Sequence, residues 1–278
     1  MYHKRANMMN TMVAERPLVD RPWYLDHLTP FPGAAIHILR TVGLPDVSLH
    51  QVAQAIRTDS VFAGRLLKAA NSPLFGIPYE INSVERAAAQ VGLDYLAKLA
   101  VTVGMKAYLS PTLEIPATKR CWRHSLACAL LAEELAPYYS MPREASYTAG
   151  LLHDIGRLAL VAAFPKGYSR MLELCEREHM DILACERELL GSDHCAAGLW
   201  VAIEWKLPSE TFRAIWDHHD TPDEGERSLT AVVHAACQLA DALGFGVIDA
   251  HNGTGNTGPA ELDLVALRKT IEAKIDSF

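Results

Sequence analysis

Gly150-Leu151-Leu152-His153-Asp154-Ile155-Gly156-Arg157 is the stretch on which the reading of this chain turns. A His and an Asp stand side by side in an otherwise apolar run. Burying two adjacent polar groups is costly unless each finds a strong partner. They can bond each other and nearby backbone, as polar residues at helix ends often do. Alternatively, a divalent cation can satisfy both, since imidazole nitrogen and carboxylate oxygen are good ligands for first-row metals.

Working outward, the second half reads as helices. Ala117 to Leu135 is a strong helical stretch stopped by Pro137 and Pro142. Glu144 to Val161 carries the opening motif within one expected helix. Helices over Tyr168–His179, Ile182–Leu190, His194–Trp205, Thr211–His219 and Leu229–Leu243 follow, with Glu261–Ile275 as an amphipathic closing helix. Gly244 to Pro259 is rich in Gly and Asn and reads as a mobile loop.

The first half is a series of short helices. Ser48 and Gln51 fit a capping box, and Asp59 can cap the next helix. Asn71 and Ser72 read as helix-terminating residues. Gly92 breaks the pattern between Val84–Val91 and Leu93–Tyr108. No stretch alternates with period two for long enough to predict a strand. Pro111 and Pro116 mark the clearest internal joint. The expected fold is all-α, with two helical lobes sharing one chain. The expected divisions are a poorly ordered tail over 1–20, a main region over 21–245 and a loop with a closing helix over 246–278. Within the main region the lobes cover 21–110 and 117–245.

Composition narrows the function classes. The 278 residues are half hydrophobic, and the net charge is −7, which argues against a DNA partner. Six cysteines without a CxxC pair read as small buried hydrophobes in a reducing, cytoplasmic setting. No apolar stretch predicts a signal peptide or a membrane span. Trp122, Trp200, Trp205 and Trp216 read as core anchors. The charged run Glu173–Glu188 reads as a solvated helix face.

The second half also orders its His and Asp residues in a distinctive way. His124 comes first, then His153-Asp154, His194, His218-His219 and Asp241, from five separate expected helices or helix ends. That order resembles the HD-type metal-dependent phosphohydrolases. Further stretches sharpen the likeness: Ile56-Arg57-Thr58-Asp59, Arg65-Leu66-Leu67-Lys68-Ala69-Ala70-Asn71-Ser72, Ser83-Val84-Glu85-Arg86-Ala87, Trp122-Arg123-His124-Ser125 and Trp205-Lys206-Leu207-Pro208. Together they resemble the HDOD family, a helical signalling module related to those enzymes, over about residues 28–245.

The resemblance implies a bacterial regulatory module. It would act through a signalling protein partner or a nucleotide second messenger. The alternative it implies is an active metal-dependent phosphohydrolase on a nucleotide or cyclic dinucleotide. Carried over by position, His124, His153, Asp154 and Asp241 would hold a first divalent metal (Fe, Mn, Zn, Ni or Mg). His194, His218 and His219 would hold a second, with Asp154 bridging. Asp154 would orient the nucleophile, and Arg157 could contact a phosphate oxygen. Such a site should lose metal below about pH 6, where imidazole protonates. Two departures stand out. No Gly-Tyr-Pro element follows His218-His219, which argues against cyclic-di-GMP as substrate, and Arg157 stands where the cyclic-di-GMP phosphodiesterases of this superfamily have Lys. His179 and His234 fall off the pattern and read as ordinary residues.

Overall fold

The structure, a computed structural model, describes residues 21–28, 30–42, 46–71, 80–205, 207, 209–248 and 263–277. Every regular element among them is helical. In chain order these are α1 (Gly33–Val42), α2 (Leu49–Arg57), α3 (Ser60–Ala70), α4 (Val84–Leu109), α5 (Pro116–Leu135), α6 (Arg143–Leu152) and α7 (Ile155–Ala163). Then come α8 (Pro165–Glu178), α9 (Ile182–Leu190), α10 (His194–Glu204), α11 (Phe212–Asp217), α12 (Leu229–Ala242) and α13 (Leu264–Ser277). The all-α expectation holds. The expected tail over 1–20, Ser72 and most of the Gly- and Asn-rich loop lie outside the described residues.

The chain divides into two units. One is drawn from the described residues of Thr29–Ser110 and Trp205–Leu207. Its spine is α4, against which α1, α2 and α3 pack. Local chemistry sets these helices as the sequence predicts. The Ser48 hydroxyl accepts from the Gln51 amide, and the Gln51 side chain accepts from the Ser48 amide. Asp59 accepts from the Val61 and Phe62 amides. Asn71 ends α3 by donating to the Leu67 carbonyl and accepting from the Ile81 amide. Gly92, at φ 81°, kinks α4 where a side chain would be strained.

The other unit is drawn from the described residues of Met1–Leu28, Pro111–Glu204 and Pro208–Phe278. Here α5 is central, with α6, α7, α8, α12 and α13 packed around it. Its composition explains that position: fourteen of its residues are buried, including Trp122, Leu126, Leu130 and Leu131. A helix apolar on nearly every side must be surrounded.

One expectation is corrected. The run Glu144–Val161 is two helices, not one. Helix α6 stops at Leu152, and α7 begins at Ile155. Asp154 sits between them at φ −97°, ψ 21°, outside helical values. The reason is packing on both sides. Gly150 lies so close to α5 that an added Cβ would stand 2.7 Å from the Cys128 carbonyl oxygen. Gly156 lies so close to α10 that a Cβ would stand 2.0 Å from the His194 carbonyl oxygen and 2.3 Å from the Gly198 amide. The break lets both contacts form and leaves His153 and Asp154 at the corner, both buried.

Replacing Gly156 therefore meets backbone that cannot yield. Gly156→Ala should cost about 3 kcal/mol or more through overpacking, read as a large drop in the thermal unfolding midpoint. A midpoint equal to wild type would show that α7 and α10 are not in this close contact.

Candidate metal centre

The corner between α6 and α7 faces the middle of α5 and α12, through His124 and Cys237, the start of α10, through His194, and the end of α11, through His218. Asp154 is 1% exposed, and the groups around it explain how a carboxylate tolerates that position. His194 Nε2 lies 3.2 Å and His218 Nε2 3.5 Å from one of its oxygens. The other oxygen has Arg157 Nε at 2.9 Å, His153 Nε2 at 3.8 Å and His124 Nε2 at 3.9 Å. Burial works against the ionised carboxylate, but the Arg157 guanidinium, the His153 and His194 rings and the His218 contact prevail. They hold its pKa well below the ordinary carboxylate range. These contacts are off the hydrogen-bond axis, and both Asp154 oxygens lack an aligned hydrogen bond.

Four of the histidines are turned by a backbone or carboxylate partner, while His219 Nε2 stands 3.0 Å from His194 Nε2. The Nδ1 of His153 donates to the Gly150 carbonyl at 2.7 Å, that of His124 to the Phe245 carbonyl at 3.0 Å, and that of His218 to the Ile215 carbonyl at 3.1 Å. His194 Nδ1 meets Glu186 Oε2 at 2.7 Å. These bonds turn Nε2 of His124, His153 and His218 toward the centre, the arrangement that outer-shell bonds impose on metal-binding imidazoles. Against the lowering effect of burial, the nearby Cys237 and Asp154 raise the pKa of His153 to about 9. Burial lowers the pKa of His218 and takes that of His219 down to about 2, with His218, His194 and Arg157 adding repulsion to His219. Both rings are therefore neutral and able to ligate.

The residues fit a cation. His153 Nε2 is buried and without a hydrogen-bond partner, as are the two Asp154 oxygens. Three sets of ligand atoms lie within 4.8 Å of one another: His153, Asp154 and His218; His194, Cys195, His218 and His219; and His124, Cys128, His153 and Cys237. Among the described residues the structure thus brings together His124, His153, Asp154, His194, His218 and His219. Asp241 is placed differently. Its Oδ1 stands 3.7 Å from His124 Nδ1, the nitrogen facing Phe245, and its side chain is 43% exposed. Arg157 is buried, its NH2 3.0 Å from His194 Nε2. A cavity of about 380 Å³ opens over the cluster, walled also by Ile182, His234, Gln238 and Val247.

Several contributors escaped the sequence reading. Glu186, read as part of a solvated face, is fully buried. It also bonds the His194 amide and the Tyr168 hydroxyl. Its neighbour Cys185 is apolar and buried, the one local hint that the helix turns inward there. His234 donates through Nδ1 to the His218 carbonyl at 2.9 Å and accepts from Gln238 at 2.7 Å, bracing the turn that carries His218 and His219. Cys128 and Cys237, read as packing residues, sit inside the ligand cluster. Their spacing was the available signal, since Cys128 follows His124 by one helical turn and Cys237 precedes Asp241 by one.

Comparison with known proteins decides the family. The profile of the HDOD domain matches residues 28–221. The chain belongs to the HDOD domain family. An uncharacterized protein of Treponema pallidum (strain Nichols) is 26% identical over 204 residues, covering 73% of this HDOD chain and 39% of that protein. The chain therefore spans about two-fifths of the length of that curated relative. An HDOD domain protein of unknown function from Geobacter sulfurreducens shares the fold at TM-score 0.66 and 24% identity, over 100% of this chain and 95% of the other. A candidate phosphohydrolase from Shewanella amazonensis SB2B gives TM-score 0.67 at 21% identity, covering 91% and 94%. A candidate signal transduction protein from Marinobacter aquaeolei VT8 gives 0.68 at 20%, covering 99% and 66%. Among the described residues no helix is long and apolar enough to cross a membrane.

The buried Glu186 gives a test of the electrostatic frame. Burial raises its pKa, but His194, Arg157 and the Tyr168 hydroxyl bring the net value below the usual range. A depressed carboxylate stabilises the fold above its unfolded pKa, near 4.3, and the contribution fades as pH falls through the lower folded value. Glu186→Gln should thus be less stable than wild type at pH 7, with the gap narrowing as pH falls below about 4. Denaturant titrations at both pH values check this, and a gap that does not depend on pH would contradict it.

Proposed function

We propose that this HDOD chain is a signal transduction module, acting through protein or small-ligand contacts around an HD-like metal site. The observation that carries this reading is the position of Arg157. Its guanidinium lies against Asp154 and against His194 Nε2, where the positional carry-over would put a second metal ion. An arginine cannot be deprotonated under ordinary conditions, so a permanent cation already balances Asp154 and His194. One metal ion, rather than two, then completes the centre. His124, His153 and Asp154 are the candidate ligands, Asp241 enters only by positional carry-over, and His194, His218 and His219 form the face around Arg157. An imidazole-rich set favours zinc, iron or nickel over magnesium or manganese.

A module of this kind signals by contact. Helices α5, α10, α11 and α12, with the α6–α7 corner, meet at the centre, so occupancy of the cavity or of the metal position bears on all of them. The partners proposed are a signalling protein or a nucleotide second messenger.

The second reading is a metal-dependent phosphohydrolase, and the cavity favours it. Its walls include Asp154, Arg157, His218 and His219, and about 380 Å³ admits a phosphoryl group with part of its substituent. When bound, a divalent cation lowers the pKa of water and neutralises phosphate charge. In that case Asp154 would orient the water and Arg157 would hold a phosphate oxygen.

The two readings separate in one assay. Protein loaded in turn with Zn, Mn, Fe, Ni and Mg is incubated with nucleotides, cyclic dinucleotides and a chromogenic phosphodiester. The signalling reading expects no turnover above the buffer blank with any metal. Hydrolysis that the wild type performs and His153→Ala does not would replace it with the phosphohydrolase reading.

A further inference from the structure

Two cysteines stand among the histidines, and no element of the reading so far uses them. Cys128 lies on α5 one turn after His124, so both point the same way. Cys237 lies on α12, and His153 sits at the α6–α7 corner. The Sγ atoms of Cys128 and Cys237 are 3.7 Å apart, and Cys128 Sγ is 3.5 Å from His124 Nε2.

These distances match a specific polyhedron. In zinc sites Zn–S is about 2.3 Å and Zn–N about 2.0–2.1 Å, with tetrahedral angles. The edges of that tetrahedron are then about 3.8 Å between two sulfurs and about 3.5 Å between sulfur and nitrogen. Both edges given above agree within about 0.1 Å, and all four ligand atoms lie within 4.8 Å of one another. A second observation points the same way. His153 Nε2 is buried with no hydrogen-bond partner, while its Nδ1 is committed to the Gly150 carbonyl. His124 is oriented alike by Phe245. Both rings therefore turn Nε2 toward the sulfurs.

We propose that His124, Cys128, His153 and Cys237 form a closed tetrahedral zinc site that pins α5, α12 and the α6–α7 corner together. The inference rests on the reading of this centre as a metal site and gives that site its metal and ligands. Two thiolates replace the carboxylates of Asp154 and Asp241 in the coordination sphere. Thiolate ligands select zinc over magnesium or manganese. Four protein ligands leave no open position for water, the mark of a structural rather than a catalytic ion. The site so built agrees with signalling rather than hydrolysis. It also leaves Asp154 free to balance Arg157.

The test uses the full chain, reduced, with one equivalent of Co(II) and, separately, of Zn(II). The cobalt form should show a near-ultraviolet sulfur-to-cobalt charge-transfer band and the intense visible bands of tetrahedral cobalt. X-ray absorption at the zinc edge of the wild type should give two sulfur neighbours at about 2.3 Å, a reading that needs no variant to fold. Cys237→Ser should remove the charge-transfer intensity from one sulfur and weaken zinc more than about 100-fold, beyond the 10–100-fold that outer-shell losses cost. Stoichiometric metal with only nitrogen and oxygen neighbours would overturn thiolate ligation and leave the metal site standing. Failure of the reduced protein to retain either ion would overturn both.

Discussion

A buried carboxylate sets the terms for half of this molecule. Removing an ion from water costs several kcal/mol even after a protein relaxes around it. Asp154 is almost fully enclosed, and the surrounding chain is arranged to recover that cost. Arg157 comes from the next turn of its own helix, His194 and His218 from two other helices, and His153 from the adjacent position. Those groups need support in turn. Glu186 holds His194, and Tyr168 holds Glu186. The polar network therefore runs outward from one residue through α7, α9, α10 and α8, in an otherwise apolar unit. Fully satisfied networks of this type make a core rigid and specific, whereas partly satisfied ones weaken it.

The unsatisfied atoms in that network are concentrated where a ligand belongs. His153 Nε2, both Asp154 oxygens and the Nε and Nη1 of Arg157 lack aligned partners, although Arg157 Nε stands 2.9 Å from an Asp154 oxygen. The cavity opens at that point, with His124, His153, His218 and His219 on its walls. The chemistry to either side differs. Toward α10 the site carries a fixed positive charge, Arg157, against imidazole. Toward α5 and α12 it carries sulfur against imidazole. Function lives in such side-chain chemistry more than in the fold, because one fold serves many functions.

Geometry at two glycines makes the arrangement possible. Gly150 and Gly156 flank the corner and permit backbone approaches that no side chain would allow. The helix is interrupted because each half follows a different neighbour, α6 lying on α5 and α7 on α10. The polar corner is thus a product of close packing on either side of it.

Much of this was legible in the sequence. Helical periodicity, capping at Ser48, Asp59 and Asn71, and the absence of strand patterning are local properties, and local energetics decide them. The order of His124, His153-Asp154, His194, His218-His219 and Asp241 resembles the HD-type phosphohydrolases, and stretches such as Arg65 to Ser72 and Ser83 to Ala87 narrowed that resemblance to the HDOD family. What only the tertiary structure decided depends on contacts between distant segments. The break at His153-Asp154 answers to α5 and α10, which no window around residue 154 contains. The burial of Glu186 depends on Tyr168 and His194, and on a charged run it looked like any solvated face. Cys128 and Cys237 are 109 positions apart, and only the packing of α12 on α5 brings their sulfurs to 3.7 Å. Periodicity states which face of a helix turns inward; what that face meets is settled by the fold.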